Sequence, residues 1–312
     1  MYSIIIPCYK SSETIQRVVE CTIEEMKNLG KTELEFVLVN DCSPDNRKTW
    51  RKLNEIADKY PFVKIIDLAK NVGQHNAVMA GLRHAAGDVI ISMDDDMQTN
   101  PKELVKMFAA FDEGYDVVYG YYMEKKQTTF RKFGAWFNQM TVHCFLKKPK
   151  DIISSSFWIM RKYVRDEIIH YTGAYTYLLG LILRTTNNIK SVEVKHYERE
   201  VGSSGYTLKA LIKLWSNITG FTSKPLHIIM NLGYFVAGIS FISALVVFIR
   251  KICNPSIFIG WSSIIISIWF SLGILLISLG LIGEYLGRLY LKVNEQPQYA
   301  VSYTHLTLPT KA

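Results

Sequence analysis

The first two thirds of the chain alternate between short apolar runs, typical of strands, and longer stretches with apolar positions at helical spacing. This alternation predicts an α/β fold with a mostly parallel sheet, in which ligand groups gather at the carboxyl ends of the strands. The predicted strands are Tyr2 to Pro7, Glu35 to Asn40, Val63 to Leu68, Asp88 to Met93 and Asp116 to Tyr119, and the predicted helices are Glu13 to Leu29, Arg47 to Tyr60, Asn76 to Ala86 and Pro101 to Gly114.

Two later stretches lack Asp, Glu, Lys and Arg altogether: 24 residues from Leu226 to Ile249 and 30 residues from Asn254 to Gly283. Each exceeds the roughly 20 apolar residues that an α-helix needs to cross a bilayer. They are therefore candidates for two transmembrane helices joined by a turn from Arg250 to Pro255. Buried helices of a large soluble protein are the alternative.

The segment Tyr206 to Ile218 has apolar residues at helical spacing, with Lys209 and Lys213 on another face. This pattern predicts a helix in the membrane interface, or else a surface helix packed on the first domain. Basic residues are more numerous at the outer ends of the two apolar stretches than in the turn between them, which favours cytosolic outer ends. Because Pro7 breaks the short apolar start of the chain, we expect no signal peptide and a cytosolic first domain.

Composition argues against several classes of protein. The 312 residues include 36 Lys and Arg against 28 Asp and Glu, a net charge of +8, yet the basic residues are spread out and no nucleic-acid-binding motif accompanies them. We therefore expect a membrane surface or phosphate ligands, and no nucleic acid, as partners. The five cysteines are odd in number and show no C-x-x-C spacing, which argues against a disulfide framework or a structural zinc site.

Three consecutive acids, Asp94, Asp95 and Asp96, follow the fourth predicted strand. Three like charges are unfavourable together unless something neutralises them, and carboxylates suit a divalent cation that bridges to a phosphorylated ligand. A solvated turn with Asp capping residues is equally compatible with the triplet alone. On the same predicted edge, Asp41 is a candidate acceptor for a nucleotide base or an Asx-turn residue, and Gly73 is a candidate point of close backbone approach.

Four segments, in order and spacing, resemble the family 2 glycosyltransferases of GT-A fold: Ile6-Pro7-Cys8-Tyr9, Val39-Asn40-Asp41-Cys42-Ser43, Asn71-Val72-Gly73-Gln74-His75 and Asp94-Asp95-Asp96-Met97-Gln98. The resemblance implies a Rossmann-like GT-A domain that binds a nucleotide-sugar donor. It implies donor-binding roles for Pro7, Tyr9, Asp41, Asn71, Gly73 and Asp94. It also implies that Mg²⁺ or Mn²⁺ is held by Asp94, Asp96 and Gln98, with Asp94 and Asp96 catalytic.

Two downstream segments resemble polyprenyl-phosphate glycosyltransferases, the group that includes dolichyl-phosphate mannose synthases and bacterial undecaprenyl-phosphate sugar transferases. The segment from His196 to Tyr206 matches H-x-E-R-x-x-G-x-S-x-Y, and Leu281 to Tyr290 matches the end of the second spanning helix in bacterial members. This resemblance implies acceptor-phosphate binding by Arg131, Arg199 and Ser204, with Arg199 also catalytic. Guanidinium suits the task because its fork binds phosphate oxygens bidentately.

The implied function is inverting transfer of one sugar from a nucleotide donor, expected to be UDP-linked, to polyprenyl phosphate at the cytosolic face of the inner membrane. The lipid-linked product would serve envelope glycan modification. The resemblance also implies a homo-oligomer, with small residues such as Gly273 and Gly280 allowing close helix packing. The alternatives are a processive membrane polysaccharide synthase, whose Q-x-x-R-W motif this chain lacks, and a catalytically inactive membrane scaffold.

The predicted organisation is a GT-A domain over residues 1–205, an interfacial helix over 206–224, a two-helix transmembrane anchor over 225–290 and a tail over 291–312. Residues 302–312 match nothing in the family pattern and are a candidate non-native extension. The chain also departs from that pattern at Lys10-Ser11, where P-x-Y-N-E is usual, and before Trp158, where an acid is missing and Asp151 is a candidate replacement. The middle acid, Asp95, stands where Ala is common and has no assigned role.

Overall fold

The computed structural model describes residues 1–122, 149, 151–173, 176–195, 224–253, 260–293 and 297–305. The chain divides into two compact units, Met1–Ile218 together with Gln296–Ala312, and Thr219–Glu295. The predicted acceptor residues Arg131, Arg199 and Ser204 lie outside the described residues, as does nearly all of the predicted interfacial helix.

The first unit alternates strands and helices along the sequence, as predicted. Its strands are β1 (Tyr2–Cys8), β2 (Leu34–Asn40), β3 (Val63–Leu68), β4 (Val89–Ser92), β5 (Val117–Tyr121), β6 (Trp158–Arg161), β7 (Ile189–Glu193) and β8 (Val301–His305), and its helices are α1 (Ile15–Asn28), α2 (Lys48–Lys59), α3 (Gln74–His84), α4 (Leu104–Asp112), α5 (Lys162–Ile169) and α6 (Leu178–Thr185). A short 3₁₀ turn, Pro101–Glu103, leads into α4.

The strands of the described chain form one sheet in the order β7-β5-β6-β4-β1-β2-β3-β8. Strands β1 to β4 are parallel to one another, and β5 is parallel to β7. Ile4, Ile5 and Ile6 are all fully buried although successive side chains face opposite sides of a sheet, because helices cover both faces. Burial of each contributes about 1.5–3 kcal/mol. The predicted mostly parallel α/β sheet is confirmed.

Two details differ from the predicted elements. Strand β6, inserted between β4 and β5, is antiparallel to both, whereas simple alternation predicts a parallel neighbour. Helix α3 begins two residues earlier than predicted, at Gln74, because the amide of Ala77 already donates to the carbonyl of Gly73. The early start brings Gln74 into the first turn of the helix, at the carboxyl edge of the sheet.

The C-terminal segment returns to the first unit and completes the sheet. Strand β8 lies antiparallel along β3, although it includes residues set aside from the sequence as a candidate extension. Just before it, the buried Gln298 side chain donates to Thr176 Oγ1, and the carbonyl of Ala300 accepts from the amide of Ala69. These contacts tie residues 298–300 to the end of β3 and to the segment that precedes α6.

The second unit contains two long helices, α7 (Lys224–Cys253) and α8 (Trp261–Val293). Within the described helices, one stretch is long and apolar enough to cross a bilayer, Phe270–Gly287 in α8, and none of it is buried within the protein. Helix α7 contributes a shorter apolar stretch, Leu226–Val236. The predicted turn from Arg250 is wrong in its start, because α7 continues to Cys253. The first predicted span, Leu226 to Ile249, and with it the two-helix anchor, stays a prediction.

Candidate active site

The predicted donor-binding residues gather at the carboxyl edge formed by β1, β2, β3 and β4. Because these strands are parallel, the segments that follow their last residues leave the sheet on the same side. Asp41 follows β2 directly, and the acidic triplet follows β4. The ring of Tyr9, one residue beyond β1, is 47% exposed and so remains accessible at this edge.

Asp41 organises the turn that leads into α3. Asp41 is buried, with 4% of the residue exposed, and its carboxylate accepts hydrogen bonds from the amide of Val72 at 2.7 Å and from the amide of Gly73 at 2.9 Å. The side-chain amide of Asn71 donates to Asp41 Oδ2 at 3.0 Å. Gly73 has φ of 84°, a conformation that favours glycine, and space for a Cβ is open around it. Glycine is therefore required here for backbone conformation.

Asp94 is held by neutral donors from three parts of the chain. Its Oδ1 accepts from Gln74 Nε2 at 2.8 Å, and its Oδ2 accepts from Ser156 Oγ and, at 3.5 Å, from Thr99 Oγ1. Burial raises the pKa of Asp94, the hydrogen bond from Ser156 opposes this rise, and the charge of Asp96 adds to it. The carboxylate is thus oriented before any ligand binds, and a carboxylate has about four lone-pair sites, so acceptor capacity remains.

Asp95 faces a different part of the structure from Asp94. Its Oδ2 accepts from the amide of Tyr9 at 3.0 Å, and its carbonyl accepts from Thr14 Oγ1 at 2.5 Å. Burial raises the pKa of Asp95 to about 6, although the hydrogen bond from the Tyr9 amide lowers it. The middle acid, which had no assigned role, therefore connects the triplet to the segment after β1.

Asp96 ends the triplet in a tight turn. The amide of Gln98 donates to Asp96 Oδ1 at 3.1 Å, an Asx-type contact, and the intervening Met97 has a φ of 61°. Gln98 is partly exposed, and it is the backbone amide of this residue that contacts Asp96. The turn places Asp96 and Gln98 at the same edge as Asp94, and their predicted binding of a metal stays a prediction.

The family model of Glycosyl transferase family 2 matches residues 3–169, a range that contains β2 to β6, all of β1 except Tyr2, and every site residue described above. The chain belongs to glycosyl transferase family 2. The uncharacterized glycosyltransferase YkcC of Bacillus subtilis (strain 168) is 32% identical over 309 residues, which cover 97% of this chain and 94% of that relative. The protein is accordingly a glycosyltransferase.

Solved structures with the same fold include glucosyl-3-phosphoglycerate synthase from Mycobacterium tuberculosis. Its complex with Mn²⁺, UDP and phosphoglyceric acid matches with a TM-score of 0.52 and 14% identity, over 71% of this chain and 76% of that one. Its complex with Mn²⁺, UDP-glucose and phosphoglyceric acid matches with a TM-score of 0.51 and 13% identity, over 71% and 79%. At such identities the likeness concerns the fold alone, and it agrees with the GT-A fold implied by the sequence motifs.

The oxygen atoms at the family 2 site suit a hard divalent cation. Carboxylate and amide oxygens are the ligands that Mg²⁺ and Mn²⁺ prefer. Among the described residues, no three His, Cys, Asp or Glu side chains form a complete metal-binding group. A cation held by these residues would take further oxygen ligands, such as the phosphate oxygens of a bound nucleotide.

Three side chains of the family 2 site were missed in the sequence. Gln74 and Ser156 reach Asp94 from α3 and from the segment before β6, and Tyr122 donates to Thr99 Oγ1 at 2.9 Å. Burial raises the pKa of Tyr122 to about 12, which keeps its hydroxyl protonated. Asp151, the candidate replacement acid, is exposed, and Ser156 is the residue of this segment that contacts Asp94. The one sequence signal for the role of Ser156 is its position two residues before Trp158, where β6 begins.

Proposed function

We propose that this glycosyltransferase moves one sugar from a UDP-linked donor to polyprenyl phosphate, with inversion at the anomeric carbon. The observation that carries the proposal is the acidic edge after β4, where Asp94 is oriented by Gln74 and Ser156 and lies close enough to Asp96 for its charge to matter. Oriented carboxylates suit a cation that binds the diphosphate of a nucleotide sugar.

The UDP assignment rests on the carboxyl edge and on the solved structures that share the fold. The Mycobacterium tuberculosis synthase was solved with Mn²⁺ together with UDP and with UDP-glucose. In this chain, Asp41 and the turn it organises would contact the nucleoside, with Pro7, Tyr9, Asn71 and Gly73. Asp94, Asp96 and Gln98 would hold Mg²⁺ or Mn²⁺. When bound, the cation neutralises charge on the departing diphosphate.

The polyprenyl phosphate assignment rests on sequence motifs and on the apolar helix. The segments His196 to Tyr206 and Leu281 to Tyr290 resemble those of lipid-phosphate transferases, and Phe270–Gly287 is long enough to span a bilayer. A phosphate monoester is largely dianionic at neutral pH, since its second pKa is about 6, so it needs little help from a general base. Arg131, Arg199 and Ser204 would bind this phosphate.

In the proposed reaction, a phosphate oxygen of the lipid attacks the anomeric carbon from the side opposite the nucleotide. A new carbon–oxygen bond forms, the bond to the diphosphate breaks, and UDP leaves with the bonding electron pair. Because attack and departure occur on opposite faces, the configuration inverts. The protein contributes by orienting both substrates and by placing fixed polar groups around the developing charge.

The proposed location is the inner membrane. The GT-A domain over residues 1–205 and both termini would lie in the cytosol, followed by an interfacial helix over 206–224 and two spanning helices over 225–290. Phe270–Gly287 supports the second of these helices by length and composition. A homo-oligomer through the helices is part of the same proposal.

The test is transfer of radiolabelled sugar by membranes that contain the full chain. A panel of UDP-sugars is incubated with undecaprenyl phosphate and Mn²⁺, and label is counted in the organic and aqueous phases. We expect metal-dependent label in the organic phase for one donor, and none with the variant Asp96→Asn. Label that enters a soluble phosphorylated acceptor instead would contradict the lipid assignment, and no transfer from any UDP-sugar would contradict the donor assignment.

A further inference from the structure

Asp95 is the member of the acidic triplet that the proposed reaction leaves without a role. The sheet register explains why it differs from its neighbours. Ile5 lies beside Ser92 in the parallel pair β1–β4, and three residues further along each strand are Cys8 and Asp95. Continuation of this register brings Asp95 next to the chain that leaves β1. Its Oδ2 accordingly accepts from the amide of Tyr9 at 3.0 Å.

The segment after β1 lacks strand partners and is held by side chains. The amides of Tyr9, Lys10 and Ser11 donate to Asp95 Oδ2, to Ser43 Oγ at 3.1 Å and to Thr49 Oγ1 at 3.0 Å, respectively. Lys10 has a φ of 58°, which is costly for a residue with a side chain and persists only where surrounding contacts enforce it. The three acceptors therefore determine the path of this segment.

Asp95 is the charged member of these three acceptors. Ser43 is itself fixed by a hydrogen bond from its hydroxyl to Asn40 Oδ1 at 2.6 Å, and Thr49 lies in the first turn of α2. Hydrogen bonds to a carboxylate are about twice as strong as those between neutral groups. Asp95 makes a second contact with this part of the chain, because its backbone carbonyl accepts a hydrogen bond from Thr14 Oγ1, next to the start of α1.

We propose that Asp95 is a positioning residue that fixes the Tyr9 segment relative to the loop carrying Asp94 and Asp96. This inference rests on the proposed function, in which Tyr9 contacts the nucleoside and the outer two acids face the diphosphate and its cation. One residue then sets the distance between the two halves of the donor site.

The test is calorimetric titration of UDP into the purified full chain, with and without Mn²⁺, for the wild type, Asp95→Ala and Asp95→Asn. Because Asn keeps an acceptor oxygen, we expect Asp95→Asn to bind UDP within about threefold of the wild type, and Asp95→Ala to bind about tenfold more weakly. The loss should be the same with and without Mn²⁺. In transfer assays, Asp95→Ala should raise the donor KM and leave the Mn²⁺ concentration for half-maximal rate unchanged.

Asp88→Ala is the matched control, because Asp88 is a carboxylate at the opposite end of the same strand, paired with the N-terminus. It should bind UDP like the wild type. If Asp95→Ala does not fold, Thr14→Val removes the second contact and should weaken UDP binding about threefold.

Wild-type affinity in both Asp95→Ala and Thr14→Val would overturn the inference. A loss confined to UDP binding in the presence of Mn²⁺ would also overturn it and identify Asp95 as a cation ligand. Equal losses in Asp95→Ala and Asp95→Asn, with and without Mn²⁺, would support it and show that the negative charge of Asp95 holds the segment. If the wild type itself binds no UDP, the proposed function fails. If the wild type binds UDP and both Asp95→Ala and Thr14→Val bind it equally well, only the inference about Asp95 fails.

Discussion

The carboxylates at the two ends of the parallel sheet, the buried Glu35 and the partly buried Asp94, have different partners. At the amino end, Glu35 accepts from Ser3 Oγ and the amide of Ala86, and it forms an ion pair with Lys64. At the carboxyl end, Asp94 accepts from the neutral donors Gln74, Ser156 and Thr99. In the part of the chain that the structure describes, no Lys or Arg forms an ion pair with Asp94 or Asp95.

The difference indicates a structural acid at the amino end, and at the carboxyl end it supports the proposal that Asp94 faces a ligand. Glu35 has a positive partner within the protein, which offsets the cost of its burial. Asp94 and Asp95 are oriented by hydrogen bonds, yet burial raises the pKa of both, so their charged forms are poorly compensated. A cation brought by the nucleotide sugar would supply to Asp94 the compensation that Lys64 supplies to Glu35, whereas Asp95 is proposed to hold the Tyr9 segment.

The largest expected effect is on transfer by Asp96→Asn. The substitution preserves shape and removes a charge from the proposed cation site, so the transfer rate should fall about a hundredfold or more. Initial rates with the donor identified in the membrane assay would measure it. Asp88→Asn, at the amino end of β4, is the control and should retain the wild-type rate. Equal rates for the two variants would contradict the distinction between the ends of the sheet.

Glu35→Ala should have the converse effect. It leaves Lys64 and Ser3 without their buried acceptor, and the free energy of unfolding should fall by about 3 kcal/mol. Thermal unfolding of the purified protein checks this, and Glu35→Gln, which keeps an acceptor oxygen, should be affected less. UDP affinity should stay within about twofold of the wild type, since no donor-site contact changes. A loss of UDP affinity without a loss of stability would overturn the structural role of Glu35.

Two adjacent serines, Ser155 and Ser156, differ in the same way, one contacting the backbone and the other Asp94. Ser156→Ala removes a hydrogen bond to Asp94. It should raise the KM for the nucleotide sugar about fivefold with little change in the melting temperature. Ser155 instead donates to the carbonyl of Gly120 at 2.6 Å and accepts from the amide of Phe157 at 3.1 Å. Ser155→Ala should therefore lower the melting temperature and leave the KM unchanged. Interchanged effects would mean that the roles of the two serines are assigned incorrectly.

The smallest expected effect concerns the pH dependence of stability. The pKa of Asp95 is about 6 in the folded protein, above the value of about 3.9 for an unfolded Asp. The folded state binds this proton more tightly, so the associated stability is present at low pH and is lost as the pH rises from about 4 to about 6. The metal-free wild type should lose more thermal stability over this interval than metal-free Asp95→Asn. Parallel melting profiles would argue against the raised pKa.

Much of the fold could be predicted because its strands are continuous apolar runs buried on both faces. Strands β1 to β4 differ from their predicted ranges by at most a few residues. Strand β6 was not predicted as an antiparallel neighbour of β4, because local periodicity carries no information on which strands pair. Strand β8 was missed for the same reason: its pairing with β3 joins residues more than two hundred positions apart.

The candidate site could be predicted only in its local part. The strand-end position of Asp94, Asp95 and Asp96 followed from the sequence, and the family motifs indicated Asp41 and Gly73. The division of roles within the triplet could not be predicted, because it depends on partners from other elements. Ser156 reaches Asp94 because Trp158 pairs with Ser92, and Asp95 reaches Tyr9 because β4 lies along β1.

Whether a cation shared with the nucleotide sugar compensates Asp94 and Asp96 is decided by the affinity of the purified protein for UDP, measured with and without Mn²⁺. In the wild type, we expect Mn²⁺ to tighten UDP binding about tenfold or more, and Asp96→Asn to abolish this gain. UDP binding that Mn²⁺ leaves unchanged, or a full gain retained in Asp96→Asn, would contradict the account.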